Sequence, residues 1–344
     1  MAERRITYVE ALREAHAQAL REFPELIVMG LGVTDPTGVF GSTKGLHTEF
    51  PGRAFDLPLS EEGTTGIAHG MAMAGMRVLY VHQRVDFLLL TMNQIVNHAA
   101  KWRFMFASQG KMPVVYRAVI GRGWGQGAQH SQSLQSLFAH IPGLSVIMPT
   151  SPYDAKGLLI EAVRSGRPVI CLEHRNLYGL QGAVPEEPYG IPLGKGLVRR
   201  EGRHVTIVAV SQMVLEAEKA ADLLAAEGVE AEVIDARSVA PLDEDLILAS
   251  VRKTGALVAC DTSWAQCGFT AEVLARVTEK AFDALRSAPV RVALPPIPTP
   301  SSPVLEAAYY PNAATIAAAV RGTLHRPDAP APTIENLRAQ KDSW

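Results

Sequence analysis

Asp56-Leu57-Pro58-Leu59-Ser60-Glu61-Glu62-Gly63-Thr64-Thr65-Gly66-Ile67-Ala68-His69-Gly70 joins an extended entry to a helix of small residues. Pro58 excludes helix at its own position and disfavours it at Leu57. Ser60 suits an N-cap, and Gly63 to Gly75 is a run of small and apolar residues. Carboxylates in a first helical turn are favoured by the helix dipole, which is reason enough for Glu61 and Glu62 to be there. A second reading stands beside that one. With His69 neutral, Gly66 to Met76 carries no formal charge, and a helix apolar nearly all round is expected to be buried. Its start is then buried too, and a carboxyl group there is paired or holds a proton. Such an acid can exchange a proton with a ring nitrogen of a cofactor.

The chain of 344 residues is long enough for two cores. Hydrophobic residues make up 47% and charged residues 20%, as in a soluble globular protein, and the net charge of −2 offers no electrostatic case for nucleic acid or anionic membrane. Cys171, Cys260 and Cys267 have no metal-binding spacing and read as thiols in a reducing compartment. Met1 to Tyr8 lacks signal-peptide character, and no apolar run approaches the ~20 residues of a membrane span. The expected location is the cytoplasm.

Outward from the opening stretch, apolar runs alternate with helical periodicity. Thr7 to Phe23 reads as a helix, Leu26 to Leu31 as a buried strand, and Gly32 to Ser42 as a loop past its carboxyl end. Arg77 to His82, Met112 to Ile120, Leu144 to Pro149 and Pro168 to Glu173 read as strands, with helices at Phe87 to Phe106 and Pro152 to Ser165. This alternation predicts a parallel α/β sheet, which binds ligands past the carboxyl ends of its strands. The stretch around 181–200 is rich in Gly and Pro and reads as a linker. A second α/β unit follows, with strands at His204 to Val210, Ala231 to Asp235 and Ala256 to Cys260, and helices near Val214 to Glu227, Asp243 to Lys253 and Phe269 to Leu285. The expected division is residues 1–180, a linker over 181–200, a second domain over 201–326 and a polar tail over 327–344.

Gly121-x-Gly-x-Gly-x-Gly127 is not a dinucleotide fingerprint, and no phosphate-cradling NTPase loop occurs. Its glycines do permit a loop that brings His130 close to a ligand, for general acid–base work or as a structural histidine. His69 and His82 have apolar neighbours and read as core residues. Gln83-Arg84-Val85-Asp86-Phe87 lies between a strand end and a helix. Asp86 suits an N-cap there, and Phe87 packs in the core or against a ligand ring.

Leu59-Ser-Glu-Glu-Gly63, Asn93-Gln-Ile-Val-Asn-His-Ala-Ala-Lys101, Gly127-Ala-Gln-His-Ser-Gln132, Tyr153-Asp-Ala-Lys-Gly-Leu158 and Val233-Ile-Asp-Ala-Arg-Ser-Val-Ala-Pro-Leu-Asp-Glu244 occur in this order. Together they resemble the β subunit of the thiamine-diphosphate-dependent 2-oxo acid dehydrogenase E1 component, over roughly residues 5 to 325. The resemblance implies a pyrimidine-binding parallel-sheet domain followed by a transketolase C-terminal-like α/β domain. It implies that Glu61 protonates the aminopyrimidine ring nitrogen, that Phe87 packs on that ring, and that Gln83 and the Leu59 backbone lie at the cofactor. It implies His130 as the active-site histidine. It also implies a potassium site of backbone carbonyls near Val114, Ala162, Ser165 and Arg167.

These enzymes hold the diphosphate through Mg²⁺ with a Gly-Asp-Gly motif, which this sequence lacks. The expectation is therefore a partner α subunit that carries it, in an α2β2 assembly, together with a lipoyl acyltransferase if the chemistry is the ordinary one. Departures bear on that. Leu31 stands where the family has a glutamate, Asp261 where a histidine is common, and Ser301 where an aromatic is common. Arg84 adds a cation that could bind an anionic substrate group. The leading expectation is decarboxylation of a 2-oxo acid with transfer to lipoyl or to a carbonyl compound. The alternatives are a split transketolase-like or acyloin-forming carboligase, and a non-catalytic scaffolding subunit.

Overall fold

The computed structural model describes residues 4–324 apart from Ser108 and Gly123; the expected tail lies outside them. The chain divides into two compact units, residues 1–195 with 237–241, and residues 196–236 with 242–344.

The first unit is built on a seven-stranded sheet. Its spatial order is Ser238–Ala240, Ser145–Ile147, Val169–His174, Val114–Ile120, Arg77–His82, Leu26–Gly30 and Ala54–Asp56. Every pairing is parallel except that of the edge strand Ser238–Ala240. The strands Leu26–Gly30, Val114–Ile120 and Val169–His174 are buried along their whole length, as expected of a sheet covered on both faces. The helix Tyr8–Glu22 opens with a Thr7–Glu10 capping box and packs on the helix Pro152–Arg164, which opens with a Ser151–Asp154 box. The stretch 181–200 is not a free linker. Gln181–Ala183 pairs with Arg5–Thr7, and Leu197–Arg200 is an antiparallel edge of the second sheet.

The second unit holds a five-stranded sheet in the order Val290–Leu294, Leu257–Trp264, Val205–Ala209, Ala231–Asp235, Leu197–Arg200. Val205, Ile207, Val233 and Val258 form its core with Met213, Leu224, Ile316 and Val320 from the flanking helices. The helices Pro303–Tyr309 and Ala313–Thr323 carry no strong marks in the sequence beyond a proline and an asparagine cap.

Two expectations are corrected. The helix Glu61–Met73 is not buried all round: Glu61, Thr64, Thr65, Ala68, His69 and Ala72 face inward, while Ile67 and Met73 are exposed. Gly66 and Gly70 on that open side have nothing within 4 Å of where a Cβ would stand. The expected single helix Phe87 to Phe106 is instead four short pieces, the third a π-helical stretch over Asn93–Ala99.

Candidate active site

Sheet register decides which loops meet. Gly30 lies beside Asp56 and Val81, and His82 beside Ala118. The segments that leave those strand ends are therefore neighbours: Leu31 to Ser42, Leu57 to Glu61, Gln83 to Phe87 and Gly121 to Gln132.

Glu61 is the first residue of its helix and is 6% exposed. Ser60 occupies the cap position, but its side chain makes no capping bond. The first turn is tied from inside instead. Thr64 Oγ1 donates to Ser60 O at 2.6 Å, and Thr65 Oγ1 donates to Glu61 O at 2.6 Å. Thr64 also bonds the Tyr80 hydroxyl. Burial, with the Glu61 charge nearby, pushes the Tyr80 phenol above its ordinary pKa. The Glu61 carboxylate itself makes no hydrogen bond or ion pair among the described residues. A nearly buried residue whose carboxylate is uncommitted to protein fits a polar ligand atom.

Gln83 to Phe87 follows the neighbouring strand end. Phe87 meets His130 edge to face, with ring centroids 5.2 Å apart. A Cβ built on Gly32 would lie 2.9 Å from both Gln83 Nε2 and Asp35 Oδ2, so glycine leaves room there for the two side chains to converge. Arg84 is 3% exposed. Its Nη1 donates to Gly121 O at 2.7 Å and its Nη2 donates to Gln126 Oε1. Asp86 is not the expected helix cap; the cap position is Arg84, without a side-chain bond. Asp86 Oδ1 accepts from Gln132 N at 3.3 Å and from Gln132 Nε2 at 2.8 Å. Burial raises the Asp86 pKa. Arg84 and Asp86 thus grip the two ends of the glycine-rich loop, with His130 between them against Phe87. The sequence marked the loop and the histidine but carried no local sign of this clamp.

The remaining expected residues are placed as follows. Leu31 is half-buried just past Gly30, and the Leu59 side chain is 79% exposed. His69 bonds the Tyr116 hydroxyl, and burial lowers its pKa to about 4. His82 lies 4.1 Å from the Tyr80 ring, and burial lowers its pKa to about 3. Both are core histidines, as expected. Val114 opens its strand, and Ala162, Ser165 and Arg167 precede the strand Val169–His174, so all four belong to the opposite, amino end of the sheet; there Ser165 Oγ donates to Ala162 O at 2.7 Å. Asp261 is buried in the second unit and takes bonds from Thr262 N and Ser263 Oγ. Among the described residues, no group of three or more His, Cys, Asp or Glu side chains could hold a metal ion, and no helix is long and apolar enough to cross a membrane.

Beneath the strand ends sits a buried pair. Arg117 and Glu173 form a two-toothed ion pair, with Arg117 Nη2 to Glu173 Oε2 at 2.6 Å. The Tyr178 hydroxyl donates to Glu173 Oε2 at 2.7 Å. A carboxyl, an imidazole and an aromatic face on neighbouring segments past the same strand ends can orient a flat heteroaromatic ring and move protons at two separate points.

Comparison with known proteins agrees with this architecture. Residues 4–181 match the family described as the transketolase pyrimidine binding domain, and residues 194–316 match the transketolase C-terminal domain. The chain is 44% identical over 331 residues to the β subunit of acetoin:2,6-dichlorophenolindophenol oxidoreductase of Cupriavidus necator, covering 93% of this chain and 98% of that one. It is 39% identical over 309 residues to the pyruvate dehydrogenase E1 component β subunit of Bacillus subtilis, covering 89% and 95%. Among solved structures, a split-gene transketolase described as an inactive β4 tetramer superposes with a TM-score of 0.78 at 26% identity, covering 93% of this chain and 99% of that one.

Proposed function

This chain belongs to the transketolase family, with the pyrimidine-binding and C-terminal domains in that order, and from that premise we propose that it is the β subunit of a two-subunit thiamine diphosphate enzyme of the 2-oxo acid dehydrogenase type. The relatives at 39–44% identity are named as β subunits of acetoin:2,6-dichlorophenolindophenol oxidoreductase and of the pyruvate dehydrogenase E1 component, whereas the likeness to a split transketolase is at 26%. That ordering favours the dehydrogenase over the carboligase.

The observation that carries the reading is Glu61, a residue only 6% exposed whose carboxyl has no protein partner among the described residues. It fits a hydrogen bond to the aminopyrimidine ring nitrogen, and Phe87 fits the ring face. When bound, thiamine diphosphate supplies the nucleophilic carbon and the electron sink. Glu61 keeps a proton at the far ring nitrogen. His130, braced by Phe87 and the loop clamp, moves a proton at the substrate oxygen. Two features support a separate α subunit that grips the phosphates through Mg²⁺: the sequence has no Gly-Asp-Gly, and Ile67, Met73, Leu90 and Phe104 expose apolar surface on this unit.

The test reconstitutes the chain with an α chain that carries Gly-Asp-Gly. Reduction of dichlorophenolindophenol is then followed with pyruvate and with acetoin. We expect dye reduction that requires thiamine diphosphate, and a loss of about 10²-fold or more in Glu61→Gln, the scale of general acid–base catalysis. Undiminished turnover in Glu61→Gln would refute the assignment.

A further inference from the structure

Arg175 follows directly on the strand Val169–His174. Its guanidinium carbon lies 4.5 Å from the Phe40 ring, 4.4 Å from the Trp124 ring and 5.1 Å from the Tyr178 ring. Three aromatic faces hold it and, among the described residues, no carboxylate does. Among the described residues the guanidinium makes no hydrogen bond or ion pair, and its Nε is buried without a partner. The adjacent acid, Glu173, is already committed to Arg117. Burial lowers the Arg175 pKa, offset only by Tyr178. His174 next to it is kept neutral, its pKa lowered to about 3 by burial and by the nearby Arg122 and Arg84 charges.

The cage is built from the same loops as the candidate site. Phe40 belongs to the loop past Leu26–Gly30, whose Val39 N bonds Gly32 O at 3.1 Å, and Gln83 covers Gly32. Trp124 belongs to the loop that carries His130. Arg175 is half-buried, open enough to meet a ligand. Aromatic faces orient a guanidinium and leave its in-plane N–H donors unused, and those donors match a carboxylate fork.

We propose that Arg175 is a substrate-recognition residue that binds the carboxylate of a 2-oxo acid and so selects the anionic oxo acid over a neutral acyloin. The inference rests on the functional assignment above and decides a point that 44% against 39% identity does not. Arg84, the cation that sequence made the first candidate for this task, is instead buried and committed to the Gly121 carbonyl and Gln126.

The test uses the reconstituted complex with Arg175→Met and Arg175→Lys, pyruvate and acetoin as substrates, and size-exclusion chromatography for assembly. The expected result in Arg175→Met is a KM for pyruvate raised about 10- to 100-fold, the range for losing one charge-assisted hydrogen bond. kcat stays within about threefold, and the preference for pyruvate over acetoin falls in proportion. Arg175→Lys lies between the two, because it keeps the charge and loses the fork. An equal loss on both substrates, an unchanged pyruvate KM, or a weakened assembly as the sole effect overturns the proposal. If the wild-type complex turns over neither substrate, the functional assignment itself falls, and this inference with it.

Discussion

Replacing Arg84 by methionine keeps most of the side-chain length and removes every donor. The wild-type guanidinium, 3% exposed, bonds the Gly121 carbonyl at 2.7 Å and the Gln126 amide oxygen. Each charge-assisted bond contributes about 1.5–3 kcal/mol, and the methionine recovers part of that by not burying a charge. The Gly121 carbonyl has little freedom to turn toward another partner. Gly121 has φ +80°, and a Cβ there would stand 2.1 Å from His174 Nε2, so the loop is wedged on that side. A net loss of about 2–3 kcal/mol is expected in urea unfolding of the isolated chain. Amide exchange over residues 124–132 should rise well beyond that of the neighbouring strands. In the reconstituted enzyme an ångström of drift at His130 costs about 10²-fold in kcat. Arg84→Lys, with one donor regained, should recover stability more than rate. A variant with unchanged exchange in this loop and only a weakened affinity for an anionic substrate would refute the clamp.

Two further outcomes follow from buried groups in the first unit. Glu173→Gln leaves Arg117 charged, 1% exposed and without its counter-ion, and should cost about 3–5 kcal/mol in the same urea titration; a loss under about 1 kcal/mol would mean that Arg117 finds water. Burial lowers the pKa of His16, His82 and His174 to about 3 and that of His69 to about 4. A histidine held neutral when folded takes up its proton on unfolding, so this contribution is complete above pH ~6.5 and declines as pH falls toward those values. Unfolding free energy should therefore drop between pH 7 and pH 5 by up to about 2 kcal/mol per histidine, and a flat profile over that range would contradict their burial.

Much of the fold was legible because parallel strands buried on both faces leave continuous apolar runs. Arg77–His82 and Ala231–Asp235 match their expected bounds for that reason. The edge elements were not legible. Leu197–Arg200 is half-exposed and rich in arginine, and Ser238–Ala240 is only three residues long, so neither bears a strand's apolar signature. The helix at Glu61 was misjudged in one respect only. Its lack of charge signalled the buried side that Ala68, His69 and Ala72 form, but small apolar residues also line its open side, where Ile67 and Met73 are exposed.

The site divides along the same line between local and distant causes. Glu61 and His130 could be singled out because each sits at a local break, one where an extended segment turns into helix and one after a glycine-rich loop. The partners that fix their positions are separated by 37 residues between Arg84 and Gly121 and by 46 between Asp86 and Gln132. No pattern in a single sequence encodes such a pairing. The two arginines show the consequence. Both Arg84 and Arg175 are cations just past a strand end, and composition cannot rank them as anion binders. Burial and partners can: one has its donors turned inward onto a backbone carbonyl, and the other is held by three π faces with its donors unclaimed. A cation whose terminal Nη donors are already taken by the protein gains little from a substrate anion, whereas one whose Nη donors are untaken gains the full charge-assisted bond. On that physical ground substrate charge selectivity is assigned to Arg175, and loop geometry to Arg84.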